Sequence, residues 1–371
     1  MSTPDVDRLE SLTRQPLPLT VNRVYRQWTG GAVLDRLQGK PKPEDGHFPE
    51  EWAGSTTVTR LAGRPADEGL SRLLRPDGPP VVLRDLIEAF PEAMLGAAHV
   101  ARFGGELGVL CKLLDSSMRL SIQAHPTAAF ARQHLGSPFG KTEAWIILAV
   151  RAIDGVPPYI LYGFREGVRE ADFRRATAEQ DVPALVGALN RIEVHPGEVY
   201  LVPAGAPHAL GPGVLLVETQ EPTDFVVNAE VVCGEIRRTE AQCFMGLPFD
   251  RAMSCFDFTA VGPDFVRRNR PAPRPIRREA GLLEEMLIGP EETPCFGATR
   301  LTLSGTAPDG DRGRAYVGIV AGGRGVLACE GGEIPLRPAA TFFVPAASRP
   351  ASYRAEAGEP LTLVKCFPPA P

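Results

Sequence analysis

Three short stretches place polar side chains inside otherwise apolar sequence, and their residue types suit metal coordination. In SIQAHP, Ser121 to Pro126, residues two apart share a face if the segment is a strand. Ser121, Gln123 and His125 then point one way, and Ile122 and Ala124 the other. Such a polar row faces either water, as a solvated barrel edge, or a site that satisfies it. In GKTEAWIILAV, Glu143 stands at the mouth of an apolar strand. A carboxylate there is costly unless it is paired, with Lys141 or an arginine, or bound to a metal. In PAGAPHAL, Gly205 permits a tight turn before His208, which reads as a ligand or as a hydrogen-bonded core histidine. Together the three clusters supply two imidazoles, one carboxylate and one amide. That donor set suits one zinc ion per chain, with open positions for water or substrate, as in a catalytic rather than a structural site.

The elements that must hold these residues are mostly strands. Gly and Pro number 38 and 37 and punctuate many short β-branched or aromatic runs. The pattern predicts strands over 81–83, 119–124, 144–150, 159–162, 198–202 and 214–218. Later strands are expected over 300–303, 315–320, 325–329, 341–344 and 361–366. Helical periodicity covers 83–102 and 170–190, the latter with a break at Pro183. The run Pro263–Arg278 contains RPAPRPIRR and reads as extended. Three regions are therefore expected: a catalytic, zinc-binding part with helical insertions (1–260), a Pro/Arg-rich linker (261–285) and a shorter β-rich part (286–371).

The two β-rich parts resemble each other. GEVYLVPAGAPH, Gly197 to His208, and AATFFVPAASRP, Ala339 to Pro350, are each a turn, an apolar strand, a Pro and a second turn. Ala339 stands for Gly197, Ala347 for Gly205 and Pro350 for His208. The second copy has thus lost the histidine, and with it this route to a metal.

Bulk properties remove other classes. The 371 residues, 43% hydrophobic, exceed what one core usually fills. Net charge is −5 with no block of Lys and Arg, which argues against nucleic acid as a partner. MSTPDVDRLE is polar and acidic, unlike a secretory signal, and the strongest apolar run, Trp145 to Val150, is far short of the ~20 residues of a membrane span. Seven scattered cysteines without a C-x-x-C read as reduced thiols of a cytoplasmic protein.

G-x5-P-x-G-x2-H, from Gly197 to His208, resembles the second metal-binding motif of cupins. SIQAHP, GKTEAW and LVPAGAPHALGPGVLLVETQ look like the metal-site signatures of class I, zinc-dependent mannose-6-phosphate isomerases, closest to the short bacterial form. QWTGGAVLDRLQG, EEWAGS and ILYGFREG resemble further segments of that family, and the resemblance covers most of the chain. It implies a mainly β, double-cupin fold: two β-barrel or jelly-roll domains, the second degenerate and metal-free. It places the zinc ligands on Gln123, His125, Glu143 and His208, and substrate contacts on Ser121 and Lys141.

The implied reaction interconverts mannose 6-phosphate and fructose 6-phosphate, in a monomer or homodimer that binds a small sugar phosphate. Glu218, emerging from GVLLV near the metal, is the candidate base, and Lys141 would stabilise phosphate or oxyanion charge. Asn228 stands where that family has an arginine thought to assist ring opening and proton transfer. An amide supplies neither charge nor a guanidinium fork. A different sugar substrate, or a non-catalytic sugar-binding or regulatory protein, is the alternative, unless Arg237 or Arg238 folds back into the site.

Overall fold

Alternating side chains along short strands build four stacked sheets in the computed structural model, which describes residues 3–75, 80–349 and 351–371. The strands begin with β1 (Leu17–Pro18), β2 (Arg23–Val24), β3 (Glu50–Ala53), β4 (Leu110–Asp115), β5 (Gln123–Ala124) and β6 (Glu143–Val150). Next come β7 (Tyr159–Phe164), β8 (Leu189–Glu193), β9 (Val199–Val202), β10 (His208–Leu210), β11 (Val214–Gln220) and β12 (Val227–Asn228). A short hairpin, β13 (Val232–Cys233) and β14 (Ile236–Arg237), precedes the second half. That half holds β15 (Arg274–Glu279), β16 (Leu282–Ile288), β17 (Gly297–Leu303), β18 (Thr306–Pro308) and β19 (Tyr316–Gly322). It ends with β20 (Gly325–Cys329), β21 (Gly332–Leu336), β22 (Thr341–Val344), β23 (Ser352–Ala355) and β24 (Leu361–Phe367).

The first half pairs a six-stranded sheet, β2-β3-β4-β11-β6-β9, with a five-stranded one, β12-β5-β10-β7-β8. The second pairs a seven-stranded sheet, β1-β22-β19-β24-β17-β16-β15, with a four-stranded one, β18-β23-β20-β21. Strand parity assigns every face. On β6, Trp145 and Ile147 face the interior of the first barrel with Leu216, Tyr162 and Leu210. Their neighbours Ala144 and Ile146 join Val317, Ile319, Phe343 and Val364 in one core between the six- and seven-stranded sheets. Beyond the five-stranded sheet, Ile122, Ala124, Leu161 and Ala209 pack against Phe173, Leu185 and Phe256 of the helical insertions. Inside the second barrel lie Tyr316, Phe342, Tyr353 and Leu363. The fold is the mainly β double barrel expected, with the two halves joined by a shared core.

The repeat is deeper than its sequence. β15-β16-β17-β24-β19-β22 follows the same order as β2-β3-β4-β11-β6-β9, with β1 added outside β22. Gly197 turns with φ of 91°, and Ala339, its counterpart, holds φ of 62° although it carries a Cβ. Glu143 lies opposite Val202 and Tyr316 opposite Val344, so Tyr316 occupies the register position of Glu143. By the same counting, Lys365 occupies that of Glu218.

Several local expectations are corrected. Within 261–285, the stretch Pro263–Arg278 is not an extended linker: Gly262–Arg268 is helical, and β15 pairs along β16 as an edge strand. Its residues are largely exposed, so charge and Pro on an edge imitate linker composition. The helical stretch 83–102 is three helices, Leu83–Ala89, Pro91–Leu95 and Ala97–Phe103, broken at Phe90 and at Gly96 with φ of 92°. The second stretch breaks at Gln180 with φ of 55°; Pro183 sits in the first turn of Val182–Gly187, where its missing N–H costs nothing. Asn190 belongs to β8. The strand expected over 81–83 is a single bridge from Val82 to Arg72 before a helix, and that over 119–124 shrinks to Gln123–Ala124. Among the described residues, no helix is long and apolar enough to cross a membrane.

Candidate metal centre and its pocket

The polar row of SIQAHP points into the first barrel, as its parity requires. β5 lies between β10 and β12, which sets His208 opposite Gln123 on one side and Asn228 opposite Gln123 on the other. Glu143 enters from the facing sheet as the first residue of β6. His125, Glu143 and His208 are buried, and each offers a ligand atom within 4.8 Å of the others. The carboxylate Oε2 of Glu143 is 3.1 Å from His125 Nε2, and Oε1 is 3.3 Å from His208 Nε2. The Gln123 amide lies 3.3 Å from His208 Nε2. An amide flip would present its oxygen to the same point.

The proton inventory of this group fits a cation. His125 Nδ1 donates to the Phe225 carbonyl at 2.8 Å, and His208 Nδ1 to that of Ala206 at 2.9 Å. Each ring's Nε2 therefore carries a lone pair when the ring is neutral. Burial, with Lys141 adding to it, pushes His125 down to about 3, and burial also lowers His208, so both rings stay neutral. Burial alone would raise Glu143, but Lys141 and the two histidines outweigh it and keep it ionised. Two lone pairs thus face a buried carboxylate whose close cation among the described residues is Lys141. Carbonyl-anchored imidazoles aimed at an ionised carboxylate are what a divalent metal needs, with the ligands already deprotonated.

Lys141, two residues before Glu143, reaches the same point. Its ammonium is 3.2 Å from Glu143 Oε2 and 3.1 Å from His125 Nε2. The ion pair and the metal group, alternatives in the sequence, are one cluster here.

Gln123, Lys141 and Glu143 line a cavity of about 410 Å³, as do Ser121, Glu218 and Asn228. Glu218 Oε2 accepts from Lys112 Nζ at 2.6 Å and Oε1 from Trp145 Nε1 at 3.2 Å. Burial raises the Glu218 pKa and Lys112 only partly offsets it. Glu218 is thus ion-paired with Lys112. Of the two arginines considered, Arg237 is exposed and bonds backbone carbonyls, whereas Arg238 lines the cavity and donates to Ser121 Oγ at 2.8 Å.

Three lining residues, Lys112, Arg26 and Asp224, escape the motif reading, and a fourth, Glu50, entered it only as the first residue of EEWAGS. Lys112 sits mid-strand in VLCKLLD, and a lysine inside a buried apolar run was itself the available signal. Arg26 bridges Glu50 at 2.8 Å and Asp224 at 3.1 Å. Burial would raise Asp224, yet Arg26 and Lys112 bring it down to about 2. Glu50 also accepts from Trp52 Nε1 at 2.7 Å. Nothing local in sequence links Arg26, Glu50 and Asp224; their pairing is purely tertiary.

Residues 26–139 match the family model described as phosphomannose isomerase type I, catalytic domain. The chain is similar to the mannose-6-phosphate isomerase of Streptococcus mutans, 35% identical over 153 residues, 40% of this chain and 46% of that protein. It is also similar to mannose-6-phosphate isomerase ManA of Bacillus subtilis, 30% identical over 158 residues, 40% of this chain and 46% of that protein. The matched segments therefore span about half the length of these curated relatives. The fold extends further: a crystal structure of the mannose 6-phosphate isomerase from Bacillus subtilis superposes with a TM-score of 0.72 at 23% identity, covering 95% of this chain and 100% of that one.

Proposed function

We propose that this chain, a relative of the type I phosphomannose isomerases, interconverts mannose 6-phosphate and fructose 6-phosphate. The observation that carries the reading is a metal-capable His125–Glu143–His208 group whose Glu143 lines the same cavity as a second carboxylate, Glu218, of raised pKa. Residues 1–260 carry the catalytic unit, and the second barrel, which starts at β15 rather than at residue 286, has Tyr316 in place of the metal-binding carboxylate.

Gln123, His125, Glu143 and His208 would hold one zinc ion, whose chemistry is Lewis-acid polarisation of the substrate's carbonyl and adjacent hydroxyl. The chain's own groups do the rest. Glu218 takes the C2 proton of the open-chain aldose as the C1 carbonyl gains electrons, and returns a proton to C1 as the C2 carbonyl forms, while the O2 hydroxyl proton passes to O1. A base of raised pKa is better matched to that task at neutral pH than an ordinary glutamate. Lys112 and Trp145 hold its two oxygens and fix its direction. Lys141, against the same carboxylate as the metal, stabilises charge on the reacting oxygens rather than at a distant phosphate. All seven cysteines are free, which suits the reducing cytoplasm where we place the reaction.

The test is conversion itself. Mannose 6-phosphate incubated with the zinc-loaded protein in deuterated water should yield fructose 6-phosphate, followed by NMR. No fructose 6-phosphate at full zinc occupancy would overturn the reading.

A further inference from the structure

We propose that Arg238, reaching in from the hairpin that follows β12, is the anion-binding pole of this pocket and selects a substrate with a phosphate at the end remote from the reacting carbons. The inference rests on the isomerase reading for the position of the reacting end, but its observation is separate.

Among the described residues the other cations inside the cavity are matched, and Arg60, at its exposed rim, lies over the Phe225 ring. Arg26 has Glu50 and Asp224, Lys112 has Glu218, and Lys141 has Glu143. Arg238 has none of these. Among the described residues its one side-chain bond goes to a neutral hydroxyl, Ser121 Oγ. The acid nearby, Glu230, is already held by both guanidinium nitrogens of Arg119, at 2.7 and 2.9 Å. A half-buried guanidinium without a carboxylate is unfavourable, and burial holds Arg238 below the ordinary arginine pKa. An anion with several acceptor oxygens would complete it.

The arm is also built to stay in place. The Arg238 backbone N–H donates to the Val231 carbonyl at 2.9 Å, and the next residue, Thr239, opens a reciprocal cap with Gln242. The side chain therefore needs little ordering on binding.

Spacing names the ligand. Ser121 lies two residues before Gln123 on the inward face, about 7 Å along an extended chain. That is roughly the span of an extended hexose from its first carbons to its sixth oxygen. With the carbonyl at the metal group, a 6-phosphate falls beside Arg238. Asn228, opposite Gln123, cannot supply that charge; Arg238 comes from ten residues later.

The experiment compares wild type, R238Q and R238K, each zinc-loaded and checked for folding by circular dichroism. Affinity for mannose 6-phosphate and for mannose is measured by calorimetry, alongside KM and kcat. R238Q should weaken mannose 6-phosphate roughly 10- to 100-fold, as loss of a charge-assisted contact does, and leave mannose unchanged. R238K, which keeps the charge without the fork, should recover part of the loss. Unchanged mannose 6-phosphate affinity in R238Q, or an equal loss for both sugars, overturns the proposal. Should R238Q fail to fold, R238K decides alone, an unchanged affinity contradicting the need for a fork. Wild type that binds mannose 6-phosphate through Arg238 yet never turns it over would sink the isomerase reading and keep this one.

Discussion

Lys112 and Glu218 face each other directly across β4 and β11, and their ammonium and carboxylate meet at 2.6 Å inside the first barrel. Both side chains are buried, and Lys112 also lies 5.4 Å over the Trp52 ring. In the second barrel the same strand carries the opposite sign: Lys365 takes the register place of Glu218 and bonds Glu284, Asp309 and Asp311 at 3.2, 2.9 and 2.8 Å. One half sets a carboxylate against one lysine on the wall of a cavity, and the other half buries a cation closed in by three acids.

The first pair sets a pH dependence. Glu218 has a raised pKa, so a base role requires pH above that raised value, and activity falls as pH drops through it. The acid limb of kcat/KM should therefore lie above the ordinary glutamate range. Lys112 lowers the Glu218 pKa, so Lys112→Met should move the limb to still higher pH. Glu218→Gln should cost roughly 10²- to 10⁴-fold in kcat, the usual worth of a positioned base. A limb at the ordinary glutamate position, unmoved by Lys112→Met, would count against Glu218.

Lys141 touches the metal group, not the far end of the pocket. Lys141→Ala should lower kcat by about 10²-fold, as removal of one preorganised charge donor does. Steady-state rates at saturating mannose 6-phosphate test this. A rise in KM alone, with kcat intact, would return Lys141 to phosphate recognition.

The second-barrel lysine has a structural role that can be weighed. Lys365→Met leaves three carboxylates facing one another in a buried site, and breaking such a cluster costs about 3–5 kcal/mol. Urea unfolding should register that loss. Because one core joins Ile146 and Val217 to Val317 and Val364, both halves should unfold in a single transition. A change under about 1 kcal/mol, at the level of a surface pair, would show that the cluster is solvated.

Much of this was legible where alternation is strict. The inward row Ser121, Gln123 and His125, with Ile122 and Ala124 turned outward, follows from a period of two, and the structure places the five as that period requires. Boundaries were less legible because β5 is two residues long and its neighbours hold it in place through register. β15 was misread since an edge strand with exposed arginines and a proline has no apolar face to announce it. Arg26, Asp224 and Arg238 gained their meaning only from partners up to 198 residues away, which no local pattern encodes.

In the function proposed, one metal ion held by four side chains of the first barrel makes this chain an isomerase. Chelator-stripped protein, titrated with zinc, should gain mannose 6-phosphate isomerisation in proportion to bound zinc, up to about one equivalent per chain. His125→Ala and His208→Ala should bind no stoichiometric zinc and stay inactive. Turnover that is complete without metal, or that needs two equivalents per chain, or wild type with one bound zinc and no turnover, would contradict the account.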